Sequence, residues 1–184
     1  MKAVNIMIEE HENIRKMLKV IRRYCYRVMN DDDIDYEDFY KIIDFIRNYS
    51  DGLHHAKEED ILFKILGEQV PKLANNGAIT GMLIEHDLSR LYTSNLEKAL
   101  EKYRLGNDEA RLDIIANAIA YTDLLDRHIE KENNALYRFA NNLLADDIKT
   151  EIDKRCAQVD LTAGEKGVQD KYLSFIGELE QKIK

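Results

Sequence analysis

The chain contains little that interrupts a helix: of its 184 residues, one is proline and eight are glycine. These two residues are the least compatible with a helix interior. Leucine, isoleucine, glutamate, lysine and alanine are abundant instead, and apolar residues recur every three or four positions, as on one face of a helix. The composition therefore predicts an all-α protein rather than one that contains sheets.

Cysteine is scarce as well. Cys25 and Cys156 both lie within helical patterns, and neither belongs to a C-x-x-C pair of the kind that marks redox and metal sites. We interpret both as small buried thiols, which are common in protein interiors, and we assign them no function.

Signals for membranes and nucleic acids are missing too. No run approaches the ~18 apolar residues of a membrane span, and the first residues lack the apolar region and cleavage site of a signal peptide. The net charge is -8 and the basic residues are scattered, which argues against binding to nucleic acid or to an anionic membrane. The sequence therefore predicts a cytoplasmic protein with neither of these partners.

What the sequence does contain is one stretch that occurs twice. The segment from His54 to Phe63 reappears as the segment from His128 to Tyr137, and both copies consist of His-x-x-x-Glu, a leucine four residues later and then an aromatic residue. On an α-helix, residues i and i+4 lie on the same face. Each copy therefore presents an imidazole beside a carboxylate, which is a spacing typical of metal ligands.

Breaks in the helical pattern divide the chain into four long helices and a C-terminal extension. The long helices are predicted at about 3–29, 36–66, 82–103 and 109–144, with breaks at 30–33, 67–77 and 106–108. They indicate an up-down-up-down four-helix bundle over residues 1–144. The extension, residues 145–184, is predicted to form two helices separated by 160–164. Its last helix carries an apolar stripe that either caps the bundle or forms a homodimer; the stripe consists of Val168, Tyr172, Phe175, Leu179 and Ile183.

The positions of the breaks place one histidine from each helix at a common level. In an antiparallel hairpin, residues equidistant from the turn lie at the same height, because each helix rises ~1.5 Å per residue in opposite directions. The midpoints between successive histidines His11, His54, His86 and His128 fall at 32.5, 70 and 107, each within a predicted break. The four imidazoles are therefore expected to meet at the bundle axis. The separations of 43 and 42 residues within the two halves also indicate an internal duplication.

Six buried ligand-type side chains at one level predict a metal centre. A single histidine on an apolar stripe is usually a satisfied core residue, and a buried network of His-Glu hydrogen bonds is the alternative here. Unpaired imidazoles and carboxylates in a core are costly, however, whereas a cation satisfies all of them. The predicted ligands are His11, His54, Glu58, His86, His128 and Glu132.

The ligand types favour two iron ions. Four nitrogens and two carboxylates without a thiolate exceed the four ligands of a structural zinc, and they suit two ions that share the carboxylates as bridges. Each ion would take two histidines. Manganese or zinc can substitute for iron at such a site.

Neighbouring residues are predicted to have lesser roles. His55 and Glu59 are rotated by about 100° from His54 and Glu58 on an α-helix. We therefore expect them to face a neighbouring helix or solvent, with a hydrogen bond to a ligand as the alternative. Tyr121 either projects toward the centre, where its phenol would steady a bound oxygen species, or belongs to the core. Arg15 and Arg90 either pair with carboxylates around the ligands or are solvated.

The order His, His-x-x-x-Glu, His, His-x-x-x-Glu, with Lys-Glu-Glu-x-x-Leu-Phe in the first pair, resembles the prokaryotic hemerythrin-like (HHE cation-binding) domain over residues 1 to 144. The resemblance implies a non-heme di-iron centre with the four histidines as terminal ligands and the two glutamates as bridges. Oxygen-carrying relatives have a second histidine where this chain has Arg90. The ligand set is more similar to that of proteins that repair iron centres after nitrosative damage, but the paired cysteines of those proteins are absent from this sequence.

Two classes of function follow from this resemblance. The first is a protein that binds dioxygen or nitric oxide for sensing, storage or scavenging. The alternative is a di-iron enzyme that reduces peroxide or oxygen, or that protects and repairs iron centres under nitrosative or oxidative stress. We favour binding. Hydrolases and nucleotide enzymes are poor candidates, because the sequence has neither a nucleophile with a suitably spaced base nor a glycine-rich phosphate loop.

Overall fold

The computed structural model describes residues 1–32 and 35–183, and within these ranges every regular element is a helix. The prediction of an all-α fold is therefore confirmed. Asp33, the last residue of the first predicted break, and Lys184, the last residue of the predicted extension, lie outside the described residues.

Seven helices follow one another along the described chain, and two of them combine α-helical and π-helical segments. In order they are α1 (Lys2–Met29); α2, built from Glu37–Phe45, the π-helices Ile46–His55 and Glu58–Phe63, and Lys64–Gln69; α3 (Pro71–Asn75); α4 (Ala78–Arg104); α5, built from Ala110–Lys131, the π-helix Glu132–Leu136 and Tyr137–Leu143; α6 (Asp146–Glu165); and α7 (Val168–Lys182). Within these residues no helix has the length and apolar character that crossing a membrane requires.

Two apolar clusters fill the bundle formed by α1, α2, α4 and α5. The first includes Leu18, Phe39, Leu100 and Ile114, one from each long helix. The second includes Met7, Leu66, Met82 and Leu136, again one from each. Burying a side chain of this size contributes about 1.5–3 kcal/mol, so both clusters stabilise the bundle.

The order of the clusters reverses from each long helix to the next. Along α1 and α4 the chain runs from the second cluster to the first, whereas along α2 and α5 it runs from the first to the second. The helices therefore alternate in direction, as an up-down-up-down bundle requires. Each helix passes from one cluster to the other at a buried histidine, so the predicted common level separates the two clusters.

The C-terminal helices pack against the bundle of the same chain. Tyr172 and Leu179 of the predicted apolar stripe are buried in the first cluster, and the Tyr172 hydroxyl donates to Asp44 Oδ2 of α2 at 2.9 Å. The stripe therefore caps the bundle, and the homodimer stays a prediction. The predicted break at 160–164 is wrong, because α6 continues to Glu165. The turn lies instead at Gly167, whose φ of 65° is a conformation that glycine adopts without steric cost.

Candidate metal centre

Seven buried side chains meet at the level between the two apolar clusters. Each of these residues, backbone included, is at most 1% exposed. They are His11 of α1; His54, His55 and Glu58 of α2; His86 of α4; and His128 and Glu132 of α5. All six predicted ligands are therefore brought together, along with one residue that was not predicted as a ligand.

The seven side chains form two groups, each with the dimensions of a metal site. In the three-histidine group, one ligand atom each of His55, Glu58, His86 and His128 lies within 4.8 Å of the others. In the two-histidine group, the same holds for His11, His54, Glu58 and Glu132. Glu58 belongs to both groups, so the two candidate sites are adjacent.

The two glutamates lie between the histidines of the two groups. Glu132 Oε1 is 3.1 Å from His128 Nε2, and Glu132 Oε2 is 3.2 Å from His11 Nε2. Glu58 Oε2 is 3.5 Å from the Nε2 atoms of both His54 and His86. Each carboxylate can therefore contact a cation in either group, which is the arrangement of a bridging ligand.

Every histidine of the centre is held from outside through its Nδ1 atom. The acceptors are Asn133 Oδ1 for His11 at 2.9 Å, Glu10 Oε2 for His54 at 2.8 Å, Asp51 Oδ1 for His55 at 3.2 Å, Glu59 Oε1 for His86 at 2.7 Å and Glu85 Oε2 for His128 at 2.9 Å. A neutral imidazole that donates from Nδ1 carries a lone pair on Nε2. Such bonds fix the tautomer of metal-ligating histidines, and here they leave the Nε2 atoms of all five rings directed into the centre.

Many polar atoms inside the centre make no hydrogen bond within the described residues. They are the Nε2 atoms of His11, His54 and His55, Oε2 of Glu58 and both carboxylate oxygens of Glu132. The Nε2 atoms of His86 and His128 face each other at 2.9 Å, although both rings donate from Nδ1. Buried polar atoms are nearly always satisfied in proteins, so this donor set fits metal cations and does not fit a self-contained hydrogen-bond network.

The electrostatics of the centre favour neutral imidazoles and a shared carboxylate charge. Burial lowers the pKa of His54, His55 and His86, which keeps them in the form that binds a metal. Burial and the neighbouring Glu132 raise the pKa of Glu58 well above its ordinary value. Burial would also raise the pKa of Glu132, but contact with histidines, above all His128, lowers that pKa well below its ordinary value. Two adjacent buried carboxylates repel each other, and a cation between them removes that repulsion.

His128 is the exception among these histidines. Burial opposes its protonation, but Glu132 and Glu85 raise its pKa to about 9. Metal binding at this ring must therefore displace a proton, since the charged imidazolium has no lone pair to offer.

His55 enters the centre because α2 is not a regular α-helix at this point. The segment Ile46–His55 is a π-helix, whose i→i+5 hydrogen bonds turn the chain less per residue than the i→i+4 bonds of an α-helix. The ring of His55 stacks on His86 at a centroid distance of 3.9 Å, and its Nε2 reaches the three-histidine group. The ring therefore faces a neighbouring helix, α4, as one of the two predicted alternatives, and it also lies within reach of the three-histidine group.

Glycine at position 52 makes this π-helix tolerable, which gives a first prediction. A Cβ atom at Gly52 would lie 2.9 Å from the carbonyl oxygen of Arg47, too close for ordinary contact. We expect Gly52→Ala to lower the free energy of unfolding by about 1–3 kcal/mol, as measured by urea denaturation. The matched control is Gly177→Ala in α7, where a Cβ meets no atom within 4 Å; this change should be stabilising. Equal effects at the two positions would contradict the steric argument.

Two aromatic residues without a predicted role, Tyr137 and Phe63, contact the predicted ligands directly. The Tyr137 hydroxyl donates to Glu58 Oε1 at 2.5 Å, and its ring stacks on His11. Phe63 stacks on His86. Both follow a glutamate of the repeated stretch by five residues. The aromatic residue that ends each copy is therefore the sequence signal for these contacts. Tyr121, in contrast, is buried in the first apolar cluster, as its core alternative predicted.

The two arginines have different surroundings. Arg90 donates to Asp51 and Glu59, the carboxylates that hold His55 and His86, so it connects the outer partners of two histidines in the three-histidine group. Glu59 therefore takes the predicted alternative of a hydrogen bond to a ligand. Arg15 pairs with the exposed Glu130 at the surface.

Comparison with known proteins agrees with this geometry. The family model of the hemerythrin HHE cation binding domain matches residues 2–140, a range that includes all seven side chains of the centre. No curated protein and no solved structure matches the chain. The match spans most of the sequence and leaves out α6 and α7. The chain therefore belongs to the hemerythrin family of HHE cation-binding domains.

Proposed function

We propose that this centre holds two iron ions bridged by Glu58 and Glu132 and that it binds a small diatomic ligand, dioxygen or nitric oxide, for sensing, storage or scavenging. The observation that carries the proposal is the pair of adjacent ligand groups that share Glu58. We further propose that all six predicted residues are ligands and that His55 is the seventh.

The donor set supports iron over other common metals. It consists of nitrogen and carboxylate oxygen, and the two cysteines lie elsewhere, Cys25 in the first apolar cluster and Cys156 in the second. With both carboxylates shared, the three-histidine group would offer five protein ligands, one more than a tetrahedral zinc ion takes. Such a set suits octahedral iron or manganese. Bound iron would supply the capacity to change oxidation state and to take up a diatomic molecule.

The two groups differ in a way that directs the small ligand. With both glutamates counted as bridges, the three-histidine group offers five protein ligands and the two-histidine group offers four. An octahedral ion in the two-histidine group would have more positions left for other ligands. We therefore expect the diatomic molecule to bind on the side of His11 and His54.

Groups of the protein on that side are suited to receive a small molecule. Tyr137 stacks on His11, and burial together with Glu58 raises the pKa of its phenol well above the ordinary value. The hydroxyl therefore keeps its proton and serves as a hydrogen-bond donor next to the centre. The apolar clusters above and below exclude water, which strengthens electrostatic interactions inside the centre.

Oxygen addition to the reduced protein tests the proposal. The protein should contain about two irons per chain, as dinuclear carboxylate centres in helix bundles do. After anaerobic reduction, dioxygen should produce a stable absorption band that disappears under vacuum and returns on re-exposure. A protein that takes up no iron, or that shows no band with either dioxygen or nitric oxide, would contradict the proposal.

Tyr137 also supports a second candidate function, the reduction of peroxide or oxygen. Such reactions consume protons, and the Tyr137 hydroxyl holds one at Glu58 Oε1. We expect Tyr137→Phe to keep its iron, because the phenol is not counted among the ligands, and to lose about 1–3 kcal/mol of unfolding free energy, because Glu58 Oε1 is left unpaired.

Peroxide assays on this variant separate the two functions. For an enzyme, turnover of peroxide should be fast in the wild-type protein and at least about 100-fold slower in Tyr137→Phe, the lower end of the usual range for loss of a general acid. For a binding protein, turnover should be slow in both proteins. Tyr36→Phe, a change to a half-buried tyrosine that stacks on Tyr103 away from the centre, serves as the control.

A further inference from the structure

The two halves of the centre repeat one arrangement of glutamate, histidine and lysine. In the first half, Glu10 Oε2 accepts from His54 Nδ1 at 2.8 Å, and Lys57 Nζ donates to Glu10 Oε1 at 2.5 Å. In the second half, Glu85 accepts from His128 Nδ1, and Lys131 donates to the other oxygen of Glu85. Each lysine follows its histidine by three residues. The duplication therefore includes the groups that hold the ligands as well as the ligands.

The two copies differ sharply in their exposure to solvent. The side chain of Lys131 is 46% exposed and that of Glu85 is 20% exposed. The side chain of Lys57 is 0% exposed and that of Glu10 is 6% exposed. Water can compensate the charge of Lys131, but the ammonium of Lys57 depends on protein partners, because a buried charge without a partner is strongly destabilising.

Asp160 supplies the missing partner from outside the bundle. Its Oδ1 accepts from Lys57 Nζ at 2.6 Å, and it lies in α6, beyond the residues that match the family model. Burial would lower the pKa of Lys57, but Glu10 and Asp160 together raise it. The continuous chain of contacts runs from Asp160 through Lys57 and Glu10 to His54 in the two-histidine group.

We propose that Asp160 is a positioning residue of the metal centre, which acts through Lys57 and Glu10 to fix the tautomer and orientation of His54. This inference rests on the proposed function, since it concerns a ligand of the same centre. Asp160 keeps the Lys57 ammonium in place, Lys57 keeps the Glu10 carboxylate aligned, and Glu10 holds the proton of His54 on Nδ1. The C-terminal extension thereby supplies the carboxylate that pairs with Lys57 in the first copy of the arrangement. In the second copy, solvent compensates the charge of the exposed Lys131.

Iron release tests the inference in the loaded protein. Removing a group that holds a ligating histidine typically weakens metal binding by about 10–100-fold. In Asp160→Asn we expect one of the two irons to be released to a chelator at least about 10-fold faster than in the wild type, with the other unchanged. The matched control is Asp153→Asn, because Asp153 anchors the same helix to α1 by accepting from the backbone N–H groups of Lys2 and Ala3. This control should lower thermal stability and leave both release rates unchanged.

A second measurement does not depend on iron. In the iron-free wild-type protein, nitrogen NMR of the histidine rings should show the proton of His54 on Nδ1. Asp160→Asn should shift the His54 signals and leave those of His128 unchanged. In a Lys57→Met background, Asp160→Asn should have no further effect on His54, because the contact through which it acts is gone.

Two results would overturn the inference. One is a set of His54 signals and iron-release rates in Asp160→Asn that match the wild type. The other is a change of the His54 signals and iron-release rates in Asp153→Asn that equals the change in Asp160→Asn, which would mean that Asp160 only anchors the helix. If the wild-type protein takes up no iron, the proposed function fails by itself, while the NMR comparison still decides whether Asp160 positions His54.

Discussion

The Glu58→Ala variant is expected to lose nearly all of its iron. Glu58 is the residue common to both ligand groups, so its removal takes a ligand from each ion at once. Loss of a residue that merely holds a ligand weakens metal binding by about 10–100-fold, and loss of a shared ligand should exceed that range. The iron content of the purified, reconstituted protein, measured by elemental analysis, checks this expectation.

The control for this experiment lies on the same segment of α2. Asp60 is exposed and belongs with Glu58 to the π-helix Glu58–Phe63. Asp60→Ala should therefore retain its full iron content. If Glu58→Ala also retained about two irons per chain with an unchanged spectrum, the bridged dinuclear centre of the kind known from helix bundles would have to be abandoned.

The His55→Ala variant is expected to lose one iron and keep the other. His55 contributes to the three-histidine group only, and its removal also deprives His86 of the ring stacked against it. The two-histidine group keeps all of its ligands. Iron content should fall from about two to about one per chain, and the spectrum should lose the features of a coupled pair of ions.

A milder change at the same histidine provides the comparison. Asp51→Asn keeps the ring of His55 and alters the carboxylate that accepts from both its Nδ1 and Arg90. We expect this variant to bind both irons, one of them about 10–100-fold more weakly. Two tightly bound irons in His55→Ala would show that His55 is only a stacked neighbour of His86, and the set of four histidines predicted from the sequence would stand.

The six side chains that meet at the centre could be predicted because their signals are local. The i, i+4 spacing of His54 and Glu58, and of His128 and Glu132, depends only on helix geometry. The common level of the histidines depends only on helix rise and on the positions of the breaks. The structure confirms the all-α bundle and brings all six predicted side chains together.

The errors have equally physical origins. An α-helical angle directs His55 away from the centre, whereas the π-helix Ile46–His55 turns the chain differently. The contact of Tyr137 is not visible in the sequence, because it depends on the position of Glu58, a residue 79 positions away. The break predicted at 160–164 was wrong because packing against the bundle sustains α6 through a weakly helical segment.

The sequence by itself determined the helix class, the direction of the helices and six of the seven side chains that meet at the centre, because periodicity and spacing act within a few turns of one helix. Only the tertiary structure decided how these residues divide into groups of three and two histidines, which side chains hold each imidazole, and that Asp160 of α6 reaches Lys57. Such contacts join residues far apart in the chain. They arise from the way in which whole helices pack, and no local pattern of residues encodes them.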